Sequence, residues 1–145
     1  MSIKPSLFVA VAIFVTSTLP LRAHAAEPVS AVSAEHAIVL TGGVGTAERA
    51  EFFATAPGYE LFASFAEQGD GAFLSNVDVT LSGGNLTRPI ALTTDGPLLL
   101  ADLPTGHYVL KAHVDGWKDR VHEFDVQRFH HDRIFVTFVP EDASR

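Results

Sequence analysis

Leu103-Pro104-Thr105-Gly106-His107-Tyr108-Val109-Leu110-Lys111-Ala112-His113-Val114-Asp115-Gly116-Trp117 is the stretch on which the fold turns. Pro104 fixes one backbone φ and Gly106 admits conformations closed to other residues, so the segment opens with a turn. Beyond it the side chains alternate. Tyr108, Leu110, Ala112 and Val114 fall on one face, and His107, Val109, Lys111 and His113 on the other. Asp115-Gly116 closes the run, which reads as one strand of a half-buried sheet.

Strands of the same kind recur on both sides, separated by turn signals every 8 to 12 residues. Upstream, Val77, Val79 and Leu81 alternate with Asp78, Thr80 and Ser82, and Gly83-Gly84-Asn85 turns the chain. Residues 59–65 place Tyr59, Leu61, Ala63 and Phe65 on one face, although Phe62 breaks the polarity of the other. Short strands follow over 86–93 and 97–103, with Asp95-Gly96 between them. Downstream, Phe124 and Val126 point inward on one strand and Ile134, Val136 and Phe138 on the last, with Arg128 to Asp132 as the turn. Seven strands and no βαβ alternation predict an all-β antiparallel sandwich over residues 42–140, with a frayed tail over 141–145. One helix precedes them at about 47–56: Thr46 is the expected N-cap, Glu48 and Glu51 favour its first turns, and Pro57-Gly58 ends it. At that length the helix needs Phe52 and Phe53 as an apolar edge to dock.

The run from Leu103 to Ala112, followed by Asp115-Gly116-Trp117, resembles the Leu-Pro-x-Gly-x-Tyr-x-Val-x-Ala and Gly-aromatic signature of carboxypeptidase regulatory-like domains. Gly42-Gly43-Val44-Gly45, Glu48-Arg49, Tyr59-Glu60-Leu61 and Gly96-Pro97-Leu98-Leu99 are similar to a group of exported proteobacterial proteins carrying that domain. The resemblance spans residues 42–138. It implies a transthyretin-like, Ig-like sandwich of about seven strands that serves in binding or scaffolding, since accessory and adhesion-type modules are common in the class.

The first 25 residues have the three parts of an export signal. Lys4 lies near the start, an apolar run extends from Leu7 to Val15, and Ala23-His24-Ala25 supplies a small-residue cleavage site before Ala26. The run is too short to span a bilayer, so cleavage is expected to leave a periplasmic protein without a membrane span. Residues 26–41, small and without periodicity, read as an arm entering the fold near Ile38, Val39 and Leu40. The chain carries 10 basic and 17 acidic residues, a formal charge of −7, made two charges more negative by loss of Lys4 and Arg22. Nucleic acid and anionic membranes, which need a basic face, are not expected partners. With no cysteine, disulfides, thiol catalysis and Cys-based zinc sites are excluded.

No catalytic set is legible. Ser64, Ser75 and Ser82 lack a G-x-S-x-G context, and Gly42, Gly43 and Gly45 lack the Lys-Ser/Thr of a phosphate loop. Glu123 and Asp125, about 7 Å apart on one strand face, need only a solvated surface to explain them. Histidines are the one cluster: five fall between His107 and His131. His107 and His113 share a face but lie about 20 Å apart at strand rise, so no ion bridges them. His113 with Glu123, or His130 and His131 with Asp132, form the candidate ligand sets for Zn²⁺, Cu²⁺ or Ni²⁺, against the plainer reading of a polar face and a solvated turn. His122 has the parity of Phe124 and is expected at a core edge. Trp117 is the candidate partner anchor if exposed, and is otherwise half buried at the sandwich end. The reading is therefore a non-catalytic periplasmic module without a cofactor, binding a protein or envelope component, with a homodimer also open. A small metal-binding protein is the alternative.

Overall fold

The computed structural model describes residues 30–34 and 37–144, so the expected leader and its cleavage site lie outside the described residues. Two sheets pack face to face. The first contains β1 (Ser30–Ala34), β2 (Ala37–Gly42), β6 (Leu98–Asp102), β3 (Leu61–Glu67) and β9 (Asp132–Phe138), in that spatial order. The second orders β5 (Ile90–Thr93), β4 (Asp78–Gly83), β7 (Gly106–His113) and β8 (Arg120–Val126). Every pairing is antiparallel except β3 with β9, which run parallel with Leu61 opposite Asp132. The chain is thus the all-β sandwich that the alternation predicts. Among the described residues no helix is long and apolar enough to cross a membrane.

The period-two faces meet between the sheets. Val79, Leu81, Tyr108, Leu110, Ala112, Phe124 and Val126 from one side meet Val39, Leu61, Ala63, Phe65, Leu99, Ala101, Val136 and Phe138 from the other. Tyr108 is fully buried and stacks on Phe124 with ring centroids 5.7 Å apart. Its hydroxyl donates to the carbonyl of Pro104, four residues upstream, at 2.5 Å. The turn at Gly84 exists to admit that ring: its φ is +53° and a Cβ there would overlap the phenol.

Several elements differ from the sequence reading. The expected arm supplies two strands: β1 pairs with β2, and β2 with β6, burying Val39. The Ser/Ala composition of β1 conceals its pairing, which backbone bonds carry. Thr46 begins α1 (Thr46–Thr55) instead of capping it. Gly45 takes the cap position without a side-chain bond, and Glu48 accepts from the Gly43 N–H at 2.9 Å. A 3-10 turn, Ala56–Gly58, extends the helix. Phe52 alone of the expected pair is buried; Phe53 stays half exposed.

Asp95-Gly96 and residues 127–131 are crossings, since β5 and β6, and likewise β8 and β9, belong to different sheets. Nor is the tail free at its start: Pro140 bridges Trp117, the Glu141 N–H donates to the Gly116 carbonyl at 3.1 Å, and a 3-10 turn covers Glu141–Ser144.

Tyr108→Phe keeps the ring but strands a partly buried acceptor, so urea unfolding is expected to register a loss of about 1–3 kcal/mol. An unchanged midpoint would show that the hydroxyl contributes nothing to the sandwich.

Candidate functional site

The histidines divide among separate partners. On the solvent face of the second sheet, β7 and β8 place His107 opposite Asp125. Its Nδ1 lies 2.7 Å from Asp125 Oδ1, and its Nε2 lies 3.7 Å from Glu123 Oε2. At the other end of β7, His113 reaches Asp119 at 2.6 Å through Nδ1 and Asp115 at 3.3 Å through Nε2. The bond to Asp125, and that to Asp119, raise the pKa of the two imidazoles above the ordinary value. Glu123 therefore meets His107, and His113 finds its carboxylates in the Asp115 turn; Glu123 stands opposite Val109, well along the strand from His113. His130 faces Asp132 at 3.4 Å, while the His131 Nδ1–H donates to the Tyr59 carbonyl at 2.8 Å. Among the described residues no group of three or more His, Asp or Glu side chains is arranged to hold a metal ion.

His122 is different. It points toward the core edge, and its Nε2 is buried with no hydrogen-bond partner among the described residues. Burial pushes its pKa down, and nearby Arg120 adds to the effect. Glu60 lies beside Asp102 and accepts from the Leu103 N–H at 3.3 Å; burial and the neighbouring carboxyl raise its pKa.

Three of the exposed phenylalanines, Phe53, Phe73 and Phe135, lie about the outer side of the first sheet. α1 and the 3-10 turn after it pack Phe52 and Ala56 onto Phe62, Leu98 and Leu100, covering β6 and part of β3. On the β3–β9 half, exposed walls flank a trough with a buried floor. Phe62, Ser64 and Ala66 share the outward parity of β3 and form that floor, where Phe62 and Ser64 are only 5% and 6% exposed. One wall is Phe53, stacked on Phe62 at 5.5 Å, followed by Phe73, which pairs with Ala66. The other wall is β9, where Arg133 and Phe135 stand opposite Phe62 and Ser64.

Phe53, Phe73 and Phe135 are 50%, 52% and 67% exposed. Each wall carries a guanidinium above a ring, Arg49 over Phe73 at 5.4 Å and Arg133 over Phe62 at 5.6 Å. One end opens into a cavity of about 120 Å³ lined by Ala56, Pro57, Tyr59, Phe62, His131, Asp132 and Arg133. Arg49 and Phe53, one helical turn apart, share the edge of α1 that faces the trough. Sequence reasoning missed this surface. Its signal was the apolar residues of the wrong parity, Phe62 and Phe135, which a two-layer sandwich does not need.

Trp117 is half buried, packed against the inter-sheet core and bridged to Pro140, so it serves the sandwich end. Phe129 is the opposite case. It is 92% exposed and held at φ +64°, a conformation uncommon for a bulky residue.

No protein-family model matches the chain, and no curated protein is significantly similar to it.

The titrations have opposite signs. His107 and His113 bind protons more tightly when folded, so their contribution is complete below the ordinary histidine pKa and is lost as pH rises through their raised values. His122 binds its proton less tightly when folded, so its contribution holds above the ordinary pKa and is lost as pH falls through its lowered value. From about pH 7.5 to about pH 5, His122→Phe is expected to gain stability relative to the parent, and the double variant His107→Asn with His113→Asn to lose it. Urea midpoints that keep a constant offset across that range would contradict both assignments.

Proposed function

We propose that the chain is an exported, non-catalytic binding module that engages a protein or cell-envelope component through the trough beside α1. One observation carries this reading: three half-exposed phenylalanines share one face with two arginines. Isolated apolar side chains at a surface are ordinary, but a contiguous patch of them marks an interaction site. Aromatic residues and arginine are also the types that dominate binding energy at protein interfaces.

Export rests on the tripartite leader and the small-residue site before Ala26. The resemblance to carboxypeptidase regulatory-like domains, whose members commonly act as accessory modules, agrees with binding by analogy.

The test is a photo-cross-linking amino acid placed singly at positions 73, 135, 109 and 123 in cells of a Gram-negative host. The expected result is a periplasmic protein beginning at Ala26 that gives discrete adducts from 73 and 135 and none from 109 or 123. Adducts from 109 and 123 instead, or none from any position, would overturn the trough as the binding surface.

A further inference from the structure

We infer that the trough accepts an extended, acidic segment of a partner protein, with carboxylates at positions i and i+4 and an apolar side chain at i+2. This rests on the reading of the trough as the binding surface and adds the chemistry of what enters it. Three observations converge.

The first is charge. In a chain of formal charge −7, both walls of the trough carry arginine, and among the described residues no carboxylate lies within salt-bridge distance of Arg49 or Arg133. Among the described residues the Arg49 guanidinium makes two bonds, each at 3.3 Å, to the carbonyls of Gly43 and Val44. Each guanidinium carbon lies 5.4 to 5.6 Å from a phenylalanine ring centre, and the N–H edges of a guanidinium match a planar anion.

The second is spacing. Arg133 flanks Phe62, and Arg49 covers Phe73, the neighbour of Ala66. Phe62 and Ala66 are four residues apart on β3, about 13 Å at strand rise. An extended peptide sets same-face side chains at i and i+4 the same distance apart. Its i+2 side chain then falls at the level of Ser64 and Phe135, midway between Phe62 and Ala66.

The third is the lining. Along the trough the exposed side chains other than arginine are Phe53, Phe73 and Phe135, a surface suited to an apolar side chain and unsuited to a second charge.

The experiment is an NMR titration of the ¹⁵N-labelled protein with three synthetic peptides, Asp-Thr-Leu-Thr-Asp, Lys-Thr-Leu-Thr-Lys and Asp-Thr-Ser-Thr-Asp, each blocked at both ends. The acidic Leu peptide is expected to shift the amides of Phe53, Ala66, Phe73 and Phe135 in a saturable way. The other two should bind at least about tenfold more weakly, given what a charge-assisted pair or a buried apolar side chain contributes. The double variant Arg49→Gln with Arg133→Gln should keep its spectral dispersion and lose about tenfold in affinity for the acidic Leu peptide. Equal binding of the Lys or Ser peptide, shifts centred on β7 and β8, concentration-dependent shifts without peptide, or no shift at all would each overturn the inference. If cross-links from 73 and 135 persist while the peptides fail, the binding surface stands and only the assigned chemistry falls.

Discussion

β6 is the constraint from which the remaining architecture follows. Its residues Leu98, Leu99, Leu100 and Ala101 are each at most 1% exposed, so this strand is buried on both faces. Alternation sends Leu99 and Ala101 into the space between the sheets, and Leu98 and Leu100 to the outside. A strand of a simple sandwich needs only its inner face covered. Here something must also roof the outer face, and α1 is the only helix of more than one turn among the described residues. At ten residues it is too short to be stable without that contact. Helix and strand are therefore mutually dependent, and Phe52 and Ala56 are the side chains that join them. Because α1 is short and centred on β6, the roof stops partway across β3, and β9 lies beyond its reach. The open trough is a consequence of the same packing.

Much of this fold is legible from residue order. The alternation through Tyr108, Leu110 and Ala112, and through Val77, Val79 and Leu81, places the inward faces correctly because a side-chain period of two leaves little freedom once one face is buried. The turn at Gly83-Gly84-Asn85 is equally plain. What stays hidden is what depends on partners distant in sequence. β1 and β2 carry little pattern of their own and become strands by pairing with each other and with β6. Asp95-Gly96 has the chemistry of a hairpin turn, yet it crosses between sheets. Gly96 passes so close to the Gly42 backbone that a Cβ would collide with it, and Thr94, wholly buried, holds the Val77 amide through its hydroxyl. Short-range patterns specify that the chain bends, and the choice of sheet on the far side is made by the core.

The candidate site was less legible, for a physical reason. Histidines and paired acids attract attention in a sequence because each carries chemistry by itself, whereas the trough is built from ordinary residues contributed by α1, β3, the loop at Phe73 and β9. Its clue, apolar residues on both parities of β3 and β9, is ambiguous between a covered and an uncovered face. Only the position of the helix decides that Phe62 is roofed and Phe135 is not. His107, His113 and His130, by contrast, are explained locally by carboxylates across or beside the strand, and His122 by its place at the core edge.

The central claim, that the trough is open in the free protein and closed by a partner, is tested most directly by hydroxyl-radical footprinting of the purified protein with and without native envelope extract. In buffer, Phe53, Phe73 and Phe135 should be oxidised readily and Phe62 scarcely. With extract, those three should become protected while Phe129 and Val121, exposed elsewhere on the surface, keep their labelling. Unchanged labelling of the three phenylalanines, or protection of Val121 and Phe129 in their place, would contradict the account.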